Sequence, residues 1–184
     1  MTTARRTLAM MCCAGLFLAA GVQAENLIQN PYFEDHLTGW QYDPPDQVSW
    51  TNTIDYPVVD SGIPGAMVLD GSRGPVLALQ CVTVLPSLDY VASVRVQSHC
   101  TGQTLNVFWT DATCIAGSSF ISAASTHADV WDRVGLFAHP PSTAQRAIVV
   151  VENPTGCVSP AYIDDVVFDT DIIFANGFEP PIPP

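Results

Sequence analysis

The sequence predicts an all-β chain folded as a two-sheet antiparallel β-sandwich and stabilised by disulfides. Three observations predict it. Apolar residues recur with a period of two rather than 3.6. Fifteen prolines and twelve glycines punctuate the chain, many of them in short turn clusters. Four cysteines remain once a leader-like N-terminus is set aside, an even number that suits two disulfides.

The alternation is clearest in two segments. Tyr90 to Ser98 places Ala92, Val94 and Val96 on one face, with Ser93, Arg95 and Gln97 on the other. Thr104 to Asp111 places Leu105, Val107 and Trp109 inward, with Asn106, Phe108 and Thr110 outward. Read as neighbours, these two form a hairpin. Further strands are expected at 26–34, 47–53, 66–70, 76–85, 130–138, 145–152 and 161–168. Turn clusters such as Asp43-Pro44-Pro45-Asp46 and Asn153-Pro154-Thr155-Gly156 separate them. The small-residue stretch Ile115 to Ala128 reads as loop with one short strand.

The first 24 residues read as a signal peptide. Arg5 and Arg6 precede an apolar run from Leu8 to Val22, and Val22-Gln23-Ala24 offers small residues for cleavage after Ala24. That run is shorter than the ~20 residues a permanent transmembrane helix needs, so no membrane insertion is expected after cleavage. Met10 and Met11 stand where a lipoprotein cut before Cys12 would need small residues. The paired arginines resemble a twin-arginine export signal, although ordinary n-regions also carry two. A secreted, periplasmic or cell-surface location follows. Residues 25–168 read as one domain and 169–184 as a flexible tail.

Charge excludes one class of partner. The chain has six arginines, no lysine and eighteen Asp plus Glu; without Arg5 and Arg6 the balance is 4 − 18 = −14. A nucleic-acid binder needs clustered cations to displace counterions, so no nucleic-acid partner is expected. Only 13% of residues are charged against 48% apolar, which excludes disorder.

Cys81, Cys100, Cys114 and Cys157 admit three pairings. In the expected hairpin Cys100 lies at the turn and Cys114 at the open end, too far apart to bond. That favours Cys81–Cys114 and Cys100–Cys157. Metal ligation by these cysteines is disfavoured, because no C-x₂-C pair exists.

Four segments, in order, resemble carbohydrate-binding modules of the 4/9 type, with a galactose-binding-like jelly roll. They are ENLIQNPYFEDHLTGW (Glu25 to Trp40), LQCVTVLPSLDYVASVRV (Leu79 to Val96), VWDRVGLFAHPPSTAQRAIVVVE (Val130 to Glu152) and AYIDDVVF (Ala161 to Phe168). Pro31 departs from the glycine usual at that place and limits the first strand to an edge or bulge. The resemblance implies a structural calcium tying the first strand to the last through Glu34 and Asp164, aided by carbonyls near Asn30. An acidic chain supplies the hard oxygens calcium prefers. Asp164 and Asp165, being consecutive, cannot both face one site from a regular strand.

The resemblance also implies a polysaccharide or cell-surface glycan as partner. Sugars stack on aromatic faces flanked by hydrogen-bonding side chains. Trp50, in the polar stretch PPDQVSWTNT, is the candidate exposed platform; Trp40, Trp109 and Trp131 read as core or structural. Arg95 and Gln97 are expected beside Asn106 and Phe108 on one outward face, with Gln80 joining from its motif position. The chain lacks G-x-S-x-G, H-E-x-x-H and a phosphate loop, and no segment proposes a cleft with paired carboxylates. The expected function is therefore non-catalytic sugar binding. The alternative is an extracellular structural or protein-interaction jelly roll with no sugar ligand. Asn176-Gly177-Phe178-Glu179 in the tail repeats the opening motif in miniature and is assigned no function.

Overall fold

Alternating apolar residues and frequent turns give ten strands in the computed structural model, which describes residues 26–54, 65–115, 119–157 and 159–170. The expected leader and nearly all of the expected tail lie outside the described residues. The strands are β1 (Gln41–Asp43), β2 (Val48–Thr51), β3 (Ala66–Asp70), β4 (Val76–Thr83) and β5 (Tyr90–Gln97). Then follow β6 (Thr104–Thr110), β7 (Phe120–Ala124), β8 (Asp132–Ala138), β9 (Arg146–Asn153) and β10 (Pro160–Thr170). Among the described residues the only helices are 3₁₀ turns at Pro45–Gln47 and Gly71–Arg73. None is long and apolar enough to cross a membrane.

The strands form two antiparallel five-stranded sheets, ordered β1-β4-β9-β6-β7 and β2-β3-β10-β5-β8. In each sheet the central strand comes late in the chain and joins two pairs made from earlier strands. The inner faces close on one core containing Leu69, Val94, Leu105, Val107, Val149, Ile163 and Phe168, all fully buried. Tyr90 and Phe168 stack within it, their ring centroids 5.0 Å apart. Trp40 and Trp109, 6% and 5% exposed, belong to this core as expected.

Three expectations are corrected. Residues 26–34 form no strand. Pro31 has no N–H to give a ladder, and Asn30 and Phe33 have φ of 49° and 54°. Asn30 instead folds the segment locally: its Nδ2 donates to the carbonyls of His36 and Thr38, and its Oδ1 accepts from the Asp35 N–H. Second, β5 and β6 form no hairpin, because they lie in opposite sheets. Third, β10 is irregular: its pairing with β5 slips between Asp164 and Val167, and Asp165 takes a φ of 47°.

The disulfides are those expected, Cys81–Cys114 and Cys100–Cys157, with Cα atoms 6.1 and 5.9 Å apart. The second ties the β5–β6 crossover to the loop between β9 and β10. Beside it lies a buried polar cluster in which the Ser125 hydroxyl donates to Gln103 Oε1 at 2.7 Å. Gln103 Nε2 donates to Asn153 Oδ1 at 3.3 Å, and Asn153 Nδ2 to the Leu69 carbonyl at 2.9 Å.

The N-terminal segment seals the sandwich through side chains and two main-chain bonds, Leu27 N–H to the Phe168 carbonyl and Val166 N–H to the Pro31 carbonyl. Asn26 donates from Nδ2 to the Val166 carbonyl and accepts the Phe168 N–H on Oδ1, at 2.8 and 3.0 Å. Gln80 lies inward on β4 and clamps Gln29: its Nε2 donates to the Gln29 carbonyl at 2.7 Å and its Oε1 accepts the Gln29 N–H at 3.0 Å. These anchors hold Phe33 and Ile28 in the core. Replacing Gln80 with Leu strips both partners from the Gln29 peptide. A destabilisation of about 2 kcal/mol is expected, read as a lower midpoint in denaturant unfolding.

Asp132 organises the turn between β7 and β8, its Oδ2 accepting the N–H groups of Thr126 and His127 at 2.8 and 3.1 Å. Burial alone would raise its carboxyl; those N–H groups and the His127 ring outweigh it and hold it below the ordinary 3.8. A depressed folded-state value means the stabilisation is present above 3.8 and lost as pH falls through the lower value. Asp132→Asn should therefore lower the melting temperature at neutral pH, and the gap to the parent should shrink on acidification below that range.

Candidate functional site

Strand β9 directs the search. Residues 147–151, Ala-Ile-Val-Val-Val, are apolar without alternation and all buried. Ala147, Val149 and Val151 enter the core. Ile148 and Val150 point the other way, onto the outer face of the first sheet, yet are only 5% and 7% exposed. That face is consequently an apolar floor.

Register gives its layout. One row across the sheet runs Cys81, Ile148, Phe108, Phe120; the next runs Gln41, Leu79, Val150, Asn106, Ser122. A third runs Asp43, Leu77, Glu152, Thr104, Ala124. Phe108 and Phe120 stack with centroids 5.1 Å apart and planes 26° apart, and Phe120 is 55% exposed. The floor spans β4 to β7, roughly 15 Å at ~4.8 Å per strand. Amides, hydroxyls and carboxylates from Gln41, Asn106, Ser122 and Glu152 flank it. Asn106 is steadied by its Nδ2 donating to Thr104 Oγ1 at 2.9 Å. This combination of an aromatic pair, aliphatic surroundings and polar neighbours suits a ligand with both C–H faces and hydroxyls.

Of the residues expected to bind sugar, only Asn106 and Phe108 share this face. Arg95 and Gln97 are on the outer face of the second sheet, because β5 crosses away from β6. Gln97 faces Tyr162 across the ladder, and Arg95 Nε approaches Asp165 Oδ2 to 3.8 Å. Burial pushes the Asp165 carboxyl above its ordinary value, while the charges of Arg133 and Arg95 oppose the rise. Gln80 is inward and committed to Gln29. Trp50 is no exposed platform: it is half-buried on β2, and its indole N–H donates to the Phe33 carbonyl at 2.7 Å. Its ring packs against His36, 4.2 Å between centroids. The polar residues described around Trp50 belong to turns and to the edge strand β2.

Phe120, Ile148 and Val150 escaped the sequence reading. The unbroken apolar run in β9 was their signal, since a strand apolar on both faces needs an apolar setting on each. Two open clefts, of about 460 and 620 Å³, lie at the end of the sheet rather than above the phenylalanines.

Glu34 and Asp164 belong to two segments that meet where the Val166 N–H donates to the Pro31 carbonyl. Burial first, and then the charges of Asp165, Asp164 and Glu34, push the Tyr32 phenol above its ordinary value. The irregularity at Asp165 brings both consecutive aspartates toward Arg95, which a regular strand would forbid. Asp164 is 1% exposed and accepts the Asp165 N–H at 2.7 Å. Among the described residues no group of three or more His, Cys, Asp or Glu side chains is arranged to hold a metal ion. A cation here would draw on Glu34, Asp164 and main-chain carbonyls, all hard oxygen donors of the kind calcium takes.

No known sequence family matches the chain, and no curated protein does. Solved structures do. A family 16 carbohydrate-binding module matches with a TM-score of 0.62 at 18% identity, over 78% of this chain and 99% of that one. A family 61 module solved with β-1,4-galactotriose matches at 0.56 and 17% identity, over 80% and 99%. The enzymatically active domain of bacteriophage CBA120 tailspike protein 4 matches at 0.65 and 16% identity, over 79% of this chain but 21% of that one. The chain shares the jelly-roll sandwich of carbohydrate-binding modules.

Proposed function

We propose that the chain is an exported, non-catalytic glycan-binding module whose ligand lies on the outer face of the first sheet. The observation that carries this reading is the Phe108–Phe120 stack set in an outward apolar floor with polar neighbours. The shared fold with carbohydrate-binding modules supports it, and two disulfides suit an oxidising compartment. The partner is a polysaccharide or cell-surface glycan that brings sugar C–H faces onto the two rings while its hydroxyls meet Asn106, Ser122 and Gln41.

A second reading keeps the fold and replaces the sugar with a protein partner. Two observations favour it: Trp50 is committed to the structure, and two open clefts lie beside the phenylalanines rather than over them. Retention on insoluble polysaccharides, together with a glycan array, separates the two. On the sugar reading one class of polysaccharide retains the protein, and Phe108→Ala or Phe120→Ala weakens retention about tenfold. Arg95→Gln, on the other sheet, leaves it unchanged. No retention of the folded protein on any glycan would put the protein partner first.

We also propose that calcium binds between Glu34 and Asp164 as a stabiliser of the N-terminal segment against β10. Binding to the folded state alone raises stability by about 2.7 kcal/mol at a hundredfold excess over Kd. The melting temperature should rise in calcium and fall in chelator, and Asp164→Asn should abolish the difference. Identical melting curves in calcium and chelator would refute the site.

A further inference from the structure

The larger of the two end clefts, about 620 Å³, is bounded by residues 83–86, 112 and 142–146. Its size falls in the range of small-ligand sites. In a chain with eighteen carboxylates and six arginines, no Asp or Glu lines it, and its one charged side chain is Arg146. Arg73 and Arg95 each pair with a carboxylate, whereas Arg146 forms no salt bridge with any described residue. Its polar side-chain contact is Nη1 with Cys114 Sγ at 3.7 Å, a weak acceptor. The carboxylate closest to this region in sequence, Asp111, is turned onto Thr113, accepting from its N–H at 2.8 Å.

Arg146 is also continuous with the phenylalanine floor. It opens β9, flanked in register by Thr83 and Thr110, in the row adjoining Cys81, Ile148, Phe108 and Phe120. Along the same face of β9 the charges run from Arg146 at one end, through Ile148 and Val150, to Glu152 at the other. The two charges are six positions apart, roughly 20 Å at ~3.3 Å per residue. A ligand on this floor therefore meets a cation at one end and an anion at the other.

We infer that Arg146 and its cleft form an acidic-sugar subsite, taking the carboxylate of a single uronate unit at one end of an otherwise neutral glycan. The inference rests on the glycan reading of the floor. A guanidinium presents two parallel N–H donors that match a carboxylate, and Thr83, which also lines the cleft, supplies a hydroxyl for the ring carrying it. The net charge of −12 opposes a chain charged at every unit, but screening within about 8 Å at physiological salt leaves one local contact intact. The subsite thus selects sparse acidity rather than polyanions.

The test is calorimetric titration of the mature protein with paired β-1,4-linked oligosaccharides, one neutral, one with a terminal hexuronate, and one with a sulfate ester at the same unit. The uronate ligand should bind about tenfold tighter than the neutral one, the worth of one charge-assisted pair. Arg146→Gln should erase that preference while keeping neutral binding and the melting temperature, and Arg146→Lys should keep only part of it. Equal affinity for neutral and uronate ligands, a sulfate bound as well as the uronate, or a preference surviving Arg146→Gln overturns the subsite. If neutral binding is lost in Phe108→Ala yet no acid preference exists, the subsite alone fails. If no oligosaccharide binds at all, the floor fails and the subsite with it.

Discussion

A strand that is apolar on both faces constrains everything around it. Residues 147–151 of β9 give Ala147, Val149 and Val151 to the core and Ile148 and Val150 to the outside. Fully burying one such side chain is worth about 1.5–3 kcal/mol, so the outer pair demands cover as surely as the inner three. Centring β9 between β4 and β6 provides it, because Leu77, Leu79 and Phe108 come from the two neighbours. The same cover leaves an apolar strip facing solvent, with the Phe120 ring at its edge. The apolar outer floor is thus the second face of a strand chosen for the centre of a sheet.

The opposite sheet solves a different problem. Its outer face is polar and partly charged, with Arg95, Arg133 and Asp165 near one another. The N-terminal segment lies against β10 without joining a sheet, held by the Val166 N–H on the Pro31 carbonyl and by the Asn26 amide. Side-chain amides thus stand in for ladder bonds that Pro31 and the left-handed Asn30 and Phe33 cannot make. The two sheets divide the labour: one carries the apolar outer face, and the other bears the clasp of the N-terminal segment against β10.

Much of the fold was legible because alternation is local. The strands expected at 66–70, 76–85, 90–98 and 104–111 match β3 to β6 to within two residues at each end. Which strands pair was not legible. Tyr90–Gln97 and Thr104–Thr110 have the same inward phase whether they form a hairpin or face each other across the core. The cysteine pairing survived that error because Cys100 and Cys114 lie beyond opposite ends of β6 in either arrangement. At the site, the outward phase of Phe108 was readable, but its partner Phe120 sat in a run of small residues with weak periodicity. Trp50 and Gln80 were misread for one reason: each bonds a backbone group 17 or 51 residues away, and nothing local encodes such a partner.

The strand order has a consequence for how the domain is made. Until β9 exists, β1-β4 and β6-β7 are separate pairs; until β10 exists, so are β2-β3 and β5-β8. A chain threaded out from its N-terminus therefore emerges as four disconnected ribbons, none with a filled centre. Cys157 appears at the same late moment, so Cys100 waits for its partner while Cys81 and Cys114 are already free to join. Two-stranded ribbons are marginal in water. Neither sheet can be completed until β9 and β10 have been made, and each then enters between two pairs already present in the chain.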